Sequence, residues 1–500
     1  MARTNFVGRH EELALLDTLW RSPQATLLIL YGRRRVGKTR LLTHWLKQHS
    51  GHGIYWVAEP SSALDQLRSF SQALYNFATP DAPAPLDFTY ANWEQALRQV
   101  ALLASNQHLA LCIDELPYLI DVNPSITGIL QKAWDHWLSK SNLILALSGS
   151  QMGMMQGMSS YEAPLYGRAT AQVKLLPLPF TAVREYFPNY SAAERITLYA
   201  IWGGVPAYWE RLNQQVGILD NIRDQLLASN TLMQEEPRLL LQDFINDPHN
   251  YVGILRAIAG GAHSTNRIST RTGLSKGHIS KYLSVLRDTG FVAREVPITE
   301  DELLSRRGHY YVTDPYLRFY YHFLSAYQAK LALGEQQELL AHVERNLPAF
   351  IEDSTWKELC REWVLRASAR GELPVSVQTV GGAWARGYDL TVVGLDAQAK
   401  HLIVGGCHWS ANPATTHEVA TLVSKTEALV PPGEGWQVFY LGFAAPGWTE
   451  EARRQGEMLA QAAAVGHTWR CVGLRLIDLE QLDADLSRWN ELAQLSRTTG

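Results

Sequence analysis

The chain has 500 residues, a formal net charge of −4, and 46% hydrophobic against 19% charged residues. That length exceeds one ordinary core and divides into about three or four domains. The charge excludes a global attraction to nucleic acid or anionic membrane, so any such contact must come from a local basic patch. Cys112, Cys360, Cys407 and Cys471 lie far apart with no metal-type pair, as expected of reduced thiols in a cytoplasmic protein. Met1 to Glu12 lacks a signal-peptide core, and no apolar run is long enough for a membrane span.

Asn5-Phe6-Val7-Gly8-Arg9 precedes a helix with apolar residues at Leu13, Leu15, Leu16 and Leu19. The apolar run Thr26 to Tyr31 then reads as a strand. Gly32-Arg33-Arg34-Arg35-Val36-Gly37-Lys38-Thr39 follows it, ahead of a helical segment Arg40 to Gln48. Strand, glycine-rich loop and helix are the context a phosphate-binding loop requires. The two glycines let the backbone curl with its amides inward, so several N–H groups and a helix N-terminus face one anion. Lys38 can reach the β- and γ-phosphates, and the Thr39 hydroxyl can ligate Mg²⁺. The pattern is that of a nucleoside triphosphate site.

A second strand lies around Ile54 to Val57, and helices are expected over Ser62 to Phe77 and Trp93 to Ala104, with a proline-marked loop between them. Leu109-Ala110-Leu111-Cys112-Ile113-Asp114-Glu115 is an apolar strand ending in adjacent carboxylates, the Walker B pattern. Asp114 is placed to hold the Mg²⁺ shell and Glu115 to orient or deprotonate the attacking water. The strand Leu143 to Leu147 ends in Ser148-Gly149-Ser150, where a serine hydroxyl can reach the γ-phosphate. This alternation predicts a parallel α/β sheet covered on both faces. Ligands of such sheets sit at the carboxyl ends of the strands, where Lys38, Asp114 and Ser148 all fall.

Arg168, in Tyr166-Gly167-Arg168, is a candidate to act in trans on the triphosphate of a neighbouring subunit in a homo-oligomer; a surface salt bridge is the alternative. Ser191 to Ala228 reads as helical, interrupted by Trp202-Gly203-Gly204-Val205-Pro206, a rigid turn suited to closing a helical lid. Beyond Tyr251, one helix begins with Ile254, Leu255 and Ile258, and a second covers Ile268 to Gly273. A third runs from Ser275 to Asp288 with Ile279, Leu283 and Leu286 inward. The strand Gly290 to Pro297, a charged tip with Arg306 and Arg307, and the strand His309 to Thr313 complete a winged helix-turn-helix. The exposed side of the third helix carries Lys276, His278 and Lys281, candidates for DNA contact, although such modules also serve purely structural roles. A helical connector from Tyr316 to Leu347 leads to a helix (Thr355 to Ala367), a strand (Val375 to Val380) and a hairpin from Tyr388–Val393 to His401–His408.

Taken together, Phe6-Val7-Gly8-Arg9, the GRRRVGKT loop, Ile113-Asp114-Glu115, Ser148-Gly149-Ser150, Tyr166-Gly167-Arg168 and Gly203-Gly204-Val205-Pro206 resemble an ATPase family of archaea and bacteria, related to AAA+ and STAND nucleoside triphosphatases. The resemblance implies an ASCE-type P-loop core at 1–185, a helical lid at 186–248, a winged helix at 249–315, a connector at 316–347 and a DUF234-type domain at 348–500. It implies ATP and ADP as ligands, with Gly32, Arg33, Arg34, Arg35, Val36, Gly37, Lys38, Thr39 and Arg40 around the phosphates. It also implies that Arg9 lies near the adenine and that Gly204 and Pro206 lie in the nucleotide-sensing lid; either Ser148 or Ser150 is the sensor. The last domain resembles restriction-endonuclease-like folds, which need an Asp on one strand and Glu-x-Lys on the next. Asp389 occupies the first position, but Gly406-Cys407-His408 supplies neither Glu nor Lys, so nuclease activity is not expected. The function implied is a slow Mg²⁺-dependent ATPase or switch. A DNA-binding regulator or defence-type effector gated by ATP, and a scaffold with permanently bound nucleotide, are the other readings.

Overall fold

The computed structural model describes residues 6–498 apart from 159, 229, 230, 243, 246, 247 and 462–468. The chain divides into two compact units: Met1–Leu178, Gly204–Glu210 and Leu239–Asn246 form one, and Pro179–Gly203, Arg211–Arg238 and Asp247–Gly500 the other.

The first unit is built on five strands: β1 (Thr26–Tyr31), β2 (Gly53–Val57), β3 (Leu109–Asp114), β4 (Leu143–Gly149) and β5 (Ala171–Lys174). They form one parallel sheet in the order β2-β3-β4-β1-β5. Every residue of β1, β3 and β4 is buried, because helices cover both faces of the sheet. Side chains alternate across it. Leu27, Ile29, Leu111 and Ile113 pack with Phe70, Trp93 and Leu97 on one face; Leu28, Leu30, Ala110 and Cys112 pack with Leu16, Leu41 and Trp45 on the other. One detail of strand order positions everything that follows. Because β4 lies between β1 and β3, its carboxyl end sits between the glycine-rich loop and the paired carboxylates.

In the second unit, the helices His249–Ala259, Thr265–Thr272 and Lys276–Asp288 precede an antiparallel hairpin of β6 (Val292–Glu295) and β7 (His309–Val312). Ser264 and Ser275 cap the second and third helices by accepting from the backbone N–H of Arg267 and His278. Gly273, at φ 72°, closes the second helix in the left-handed conformation. Ile268, Ile279, Leu283 and Leu286 are buried, as their helical spacing requires. A second five-stranded sheet follows, of β8 (Thr379–Ala385), β9 (Tyr388–Asp396), β10 (His401–His408), β11 (Trp436–Ala444) and β12 (Trp469–Asp478), in the order β12-β11-β10-β9-β8. The β8–β9 and β9–β10 pairs are antiparallel, and the β10–β11 and β11–β12 pairs are parallel.

Three expectations shift. The strand placed at Val375 to Val380 begins at Thr379. Val375 and Val377 are buried, but the Val377 backbone is held by the Ser368 hydroxyl at 2.8 and 3.2 Å instead of by a strand. The helix expected from Thr355 is preceded by a wider turn, Glu352–Trp356, and runs from Lys357 to Ala369. The lid at 186–248 is not one body: 204–210 and 239–246 belong with the first unit. Among the described residues, no helix is long and apolar enough to cross a membrane.

Candidate active site

The loop between β1 and the helix Lys38–Gln48 is shaped by close approaches. A Cβ on Gly32 would lie 2.4 Å from the Leu175 carbonyl oxygen, and Gly37 has φ 98°, so both positions favour glycine. Arg35 also has a positive φ, 68°. From below, Arg9 bolts the loop in place: its buried guanidinium donates to the carbonyls of Val36 (2.9 Å) and Leu176 (2.7 Å) and to Glu12 (3.0 Å). Burial lowers its pKa and the Glu12 carboxylate opposes that shift. Arg9, expected near the adenine, is turned to backbone and to Glu12 and is not among the lining of the pocket at the loop.

Lys38 Nζ donates to the carbonyls of Gly32 (3.0 Å) and Arg33 (3.2 Å) and to Ser150 Oγ (2.8 Å). Ser150 Oγ donates in turn to Glu115 Oε1 at 2.6 Å, and the Ser150 N–H reaches Oε2 at 3.3 Å. Beside this chain, Asp114 Oδ2 accepts from Thr39 Oγ1 and from the Tyr55 hydroxyl, each at 2.6 Å, while Oδ1 accepts from the Glu115 N–H at 3.0 Å. Asp114 is wholly buried, and these three donors compensate its desolvation. Burial, then the hydrogen bond to Asp114, pushes the Tyr55 hydroxyl up. Sequence reasoning missed Tyr55. It sits on β2, two residues before the position paired with Asp114, and only the strand pairing brings it there.

These groups open into a pocket of about 380 Å³ whose lining includes Arg34, Arg35, Gly37, Lys38, Thr39, Arg40, Glu115, Ser150, Pro206 and Glu210. Four cationic side chains face two carboxylates in that lining, a balance that suits an anionic ligand. Arg40 is ion-paired with Glu210. Arg33 reaches the Tyr208 hydroxyl at 3.2 Å and Arg34 the Tyr118 hydroxyl at 3.2 Å.

The Gly203-Gly204-Val205-Pro206 turn meets the loop from the sheet edge. The Leu178 N–H donates to the Gly204 carbonyl at 2.6 Å, and a Cβ on Gly204 would stand 1.7 Å from the Leu178 oxygen. Pro206 Cγ lies 3.9 Å from where a Cβ of Gly37 would be.

Of the two candidate serines, the structure brings Ser150 to the charged groups. Ser148 is buried within β4, paired in register with Leu30, and its hydroxyl has no partner among the described residues. Arg168 is elsewhere: it grips Asp135 at 2.7 and 2.8 Å and donates to the carbonyls of Pro164 and Tyr166. In its own chain it is thus the surface ion pair. Lys276, His278 and Lys281 are exposed on their helix in the second unit.

Known protein families match two separate stretches of the chain. Residues 6–212 match a family described as an ATPase domain predominantly from Archaea. Residues 320–421 match DUF234, described as archaeal and bacterial proteins of unknown function. The uncharacterized protein MJECL04 of Methanocaldococcus jannaschii is 27% identical over 407 residues, 81% of this chain and 87% of that one. The uncharacterized ATP-binding protein MJ0423 of the same organism is 55% identical over 42 residues, 8% of this chain and 71% of that one. The Walker-type ATPase PABY2304 of Pyrococcus abyssi aligns with 64% of this chain and 97% of its own, at 18% identity and a TM-score of 0.48. Residues 6–212 are thus a P-loop ATPase domain of the predominantly archaeal family, carried in one chain with a DUF234 domain at residues 320–421.

Proposed function

We propose that the first unit binds ATP with Mg²⁺, hydrolyses it slowly, and works as a switch whose nucleotide state acts on the second unit. The observation that carries this reading is one pocket in which Lys38, Ser150 and Glu115 form a hydrogen-bonded chain beside the Thr39–Asp114 pair.

The chemistry follows from those atoms. The loop amides and the start of the helix Lys38–Gln48 receive the phosphates, and Lys38, already aimed across the loop mouth, adds a positive charge to them. The Thr39 hydroxyl and Asp114 carboxylate are hard oxygen donors already within a hydrogen bond of each other, a set that fits Mg²⁺. Among the described residues, no group of three or more His, Cys, Asp or Glu side chains could hold a metal. Two protein oxygens are what an ion that keeps its waters and shares phosphate oxygens needs. When bound, Mg²⁺ neutralises charge on the phosphates. Glu115 accepts the proton of the attacking water, and the Ser150 hydroxyl fixes the direction of its carboxylate. The Glu115 backbone holds φ 50°, a left-handed conformation that costs on the order of 1 kcal/mol and is typical of functional positions.

ATP binding and phosphate release by the purified full chain, with Mg²⁺ and with chelator, test the proposal. Binding that is lost in Lys38→Ala and hydrolysis that needs Mg²⁺ are expected. A Lys38→Ala protein that binds ATP like the wild type would overturn it.

A further inference from the structure

From His249 to Arg287 the chain carries six basic residues, Arg256, Arg267, Arg271, Lys276, Lys281 and Arg287, and no Asp or Glu. All six are exposed. In a chain of net charge −4 this is a concentrated cationic block, the kind of local patch that polyanions require. Between its first two helices and the residues 321–326 lies a cleft of about 450 Å³, lined by Arg256, Arg271, His249, His322, Asn250 and Thr272 among others, with no carboxylate among the described lining residues. The Arg256 guanidinium has no hydrogen-bonded or ion-paired partner among the described residues. A guanidinium with no carboxylate beside it among the described residues is suited to receive a phosphate group.

We infer that this helical block binds the phosphate backbone of duplex DNA without reading its sequence, and that the β6–β7 hairpin takes no part. Three observations select that partner and that mode. Single-stranded nucleic acid is held by bases stacking on exposed aromatic rings. Here the block's two tyrosines, Tyr251 and Tyr282, are half-buried and pack edge to face at 4.8 Å. Base readout in the major groove uses bidentate Arg, Asn or Gln side chains. The helix Lys276–Asp288 has no Asn or Gln, and its one arginine, Arg287, stands at the far end. Its exposed Lys276 and Lys281 are point charges suited to phosphates.

The hairpin is occupied. The Ile298 N–H donates to the Gly382 carbonyl at 2.9 Å. Arg307 donates to the Trp384 carbonyl (3.2 Å), and the Trp384 indole donates back to the Arg307 carbonyl (3.1 Å). His309 stacks on Trp384 at 4.5 Å, and Arg361 forks onto both oxygens of Glu295. The tip is also acidic on balance: Glu300, Asp301 and Glu302 outnumber Arg306 and Arg307, and Arg307 is paired with Glu300. The residues flanking the charged tip are therefore docked on β8.

Fluorescence anisotropy of the full chain with a labelled duplex of arbitrary sequence, across a salt series, tests this independently of the nucleotide pocket. We expect duplex binding that an unrelated duplex competes away equally and that weakens as salt rises. Arg256→Ala with Lys281→Ala, at an unchanged thermal midpoint, should flatten the logarithmic salt slope by about 0.9 for each lost phosphate contact. Arg306→Ala should leave it unchanged. Tighter binding to single strands or to an acidic peptide, an unaltered slope in the double variant, a loss in Arg306→Ala equal to that in the double variant, or no duplex binding at low salt would each overturn the inference.

Discussion

The pocket at the carboxyl ends of β1, β3 and β4 and the pocket of about 290 Å³ beside β9 and β10 are lined by similar residue types. The second contains Asp389, Glu418, Lys425, His408 and His417, with Thr391 and Cys407, a set that on paper rivals Lys38, Thr39, Asp114, Glu115 and Ser150. They differ in where the polar groups point. In the first, a lysine, two hydroxyls and two carboxylates bond one another across the ends of β3 and β4 and the start of the helix Lys38–Gln48. In the second, the charged groups with partners turn to backbone, a helix cap or a nearby serine, and the pair that bonds across the strands is the uncharged Thr391 and Cys407 at 3.3 Å. Glu418 closes a capping box on Thr415, Lys425 donates to the backbone carbonyl of Asp389, and His408 Nε2 meets Ser410 Oγ. Composition alone does not make a site. Parallel strands aim several carboxyl ends at one point, whereas the antiparallel β9–β10 pair sends its ends in opposite directions.

The sharpest way to break this comparison is to neutralise one aspartate from each pocket. Asp114→Asn should lower ATP turnover by roughly 10²-fold or more, since a metal-holding charge contributes several kcal/mol. Asp389→Asn should leave turnover unchanged, and neither it nor the wild type should nick plasmid DNA with Mg²⁺. Steady-state phosphate release and a gel assay check both, and nicking that vanishes in Asp389→Asn would restore the second pocket as a catalyst. Glycines give the next contrast. Gly204→Ala drives a Cβ into the Leu178 backbone and should cost about 3 kcal/mol. At Gly406 the nearest atom is the Leu422 side-chain tip at 3.1 Å, so Gly406→Ala should cost under about 1 kcal/mol. Thermal unfolding of the two variants decides.

A smaller effect sharpens the picture of the second unit. Burial holds His263 and His309 below the usual histidine pKa, and His309 is lowered further by His263. The native state then binds fewer protons than the unfolded chain just below the ordinary value of about 6.5. Stability from this junction is fully present above that pH and falls as pH drops through it toward the lower native values. The denaturant midpoint should be lower at about pH 5.5 than at about pH 7.5, and His309→Gln should shrink the difference. An unchanged difference would show that the stacked His309 is not responsible.

The phosphate loop was legible because its residues are contiguous and each has a fixed task along the backbone. The Asp114-Glu115 pair was legible for the same reason. What the sequence hid was set by pairing across strands. Tyr55 joins Asp114 only through the β2–β3 register, and Ser150 outranks Ser148 only because β4 ends between β1 and β3. Edge strand β5 has four residues with alternating partial burial, too short and too polar to announce itself. Val375 and Val377 looked like a strand because buried residues in a loop and in a strand are equally apolar. The docking of the hairpin on β8 joins residues 77 apart, Arg307 and Trp384, and no local pattern encodes that.

The central claim is that Glu115, aimed by Ser150, activates water on an ATP that Lys38 and Thr39 hold. Single-turnover hydrolysis of Mg²⁺-ATP by Glu115→Gln, with ATP affinity measured on the same protein, tests it most directly. Affinity close to wild type with hydrolysis slowed by about 10²-fold or more is predicted, the size expected when a general base is removed. Hydrolysis at the wild-type rate by a variant that binds ATP normally would contradict the account.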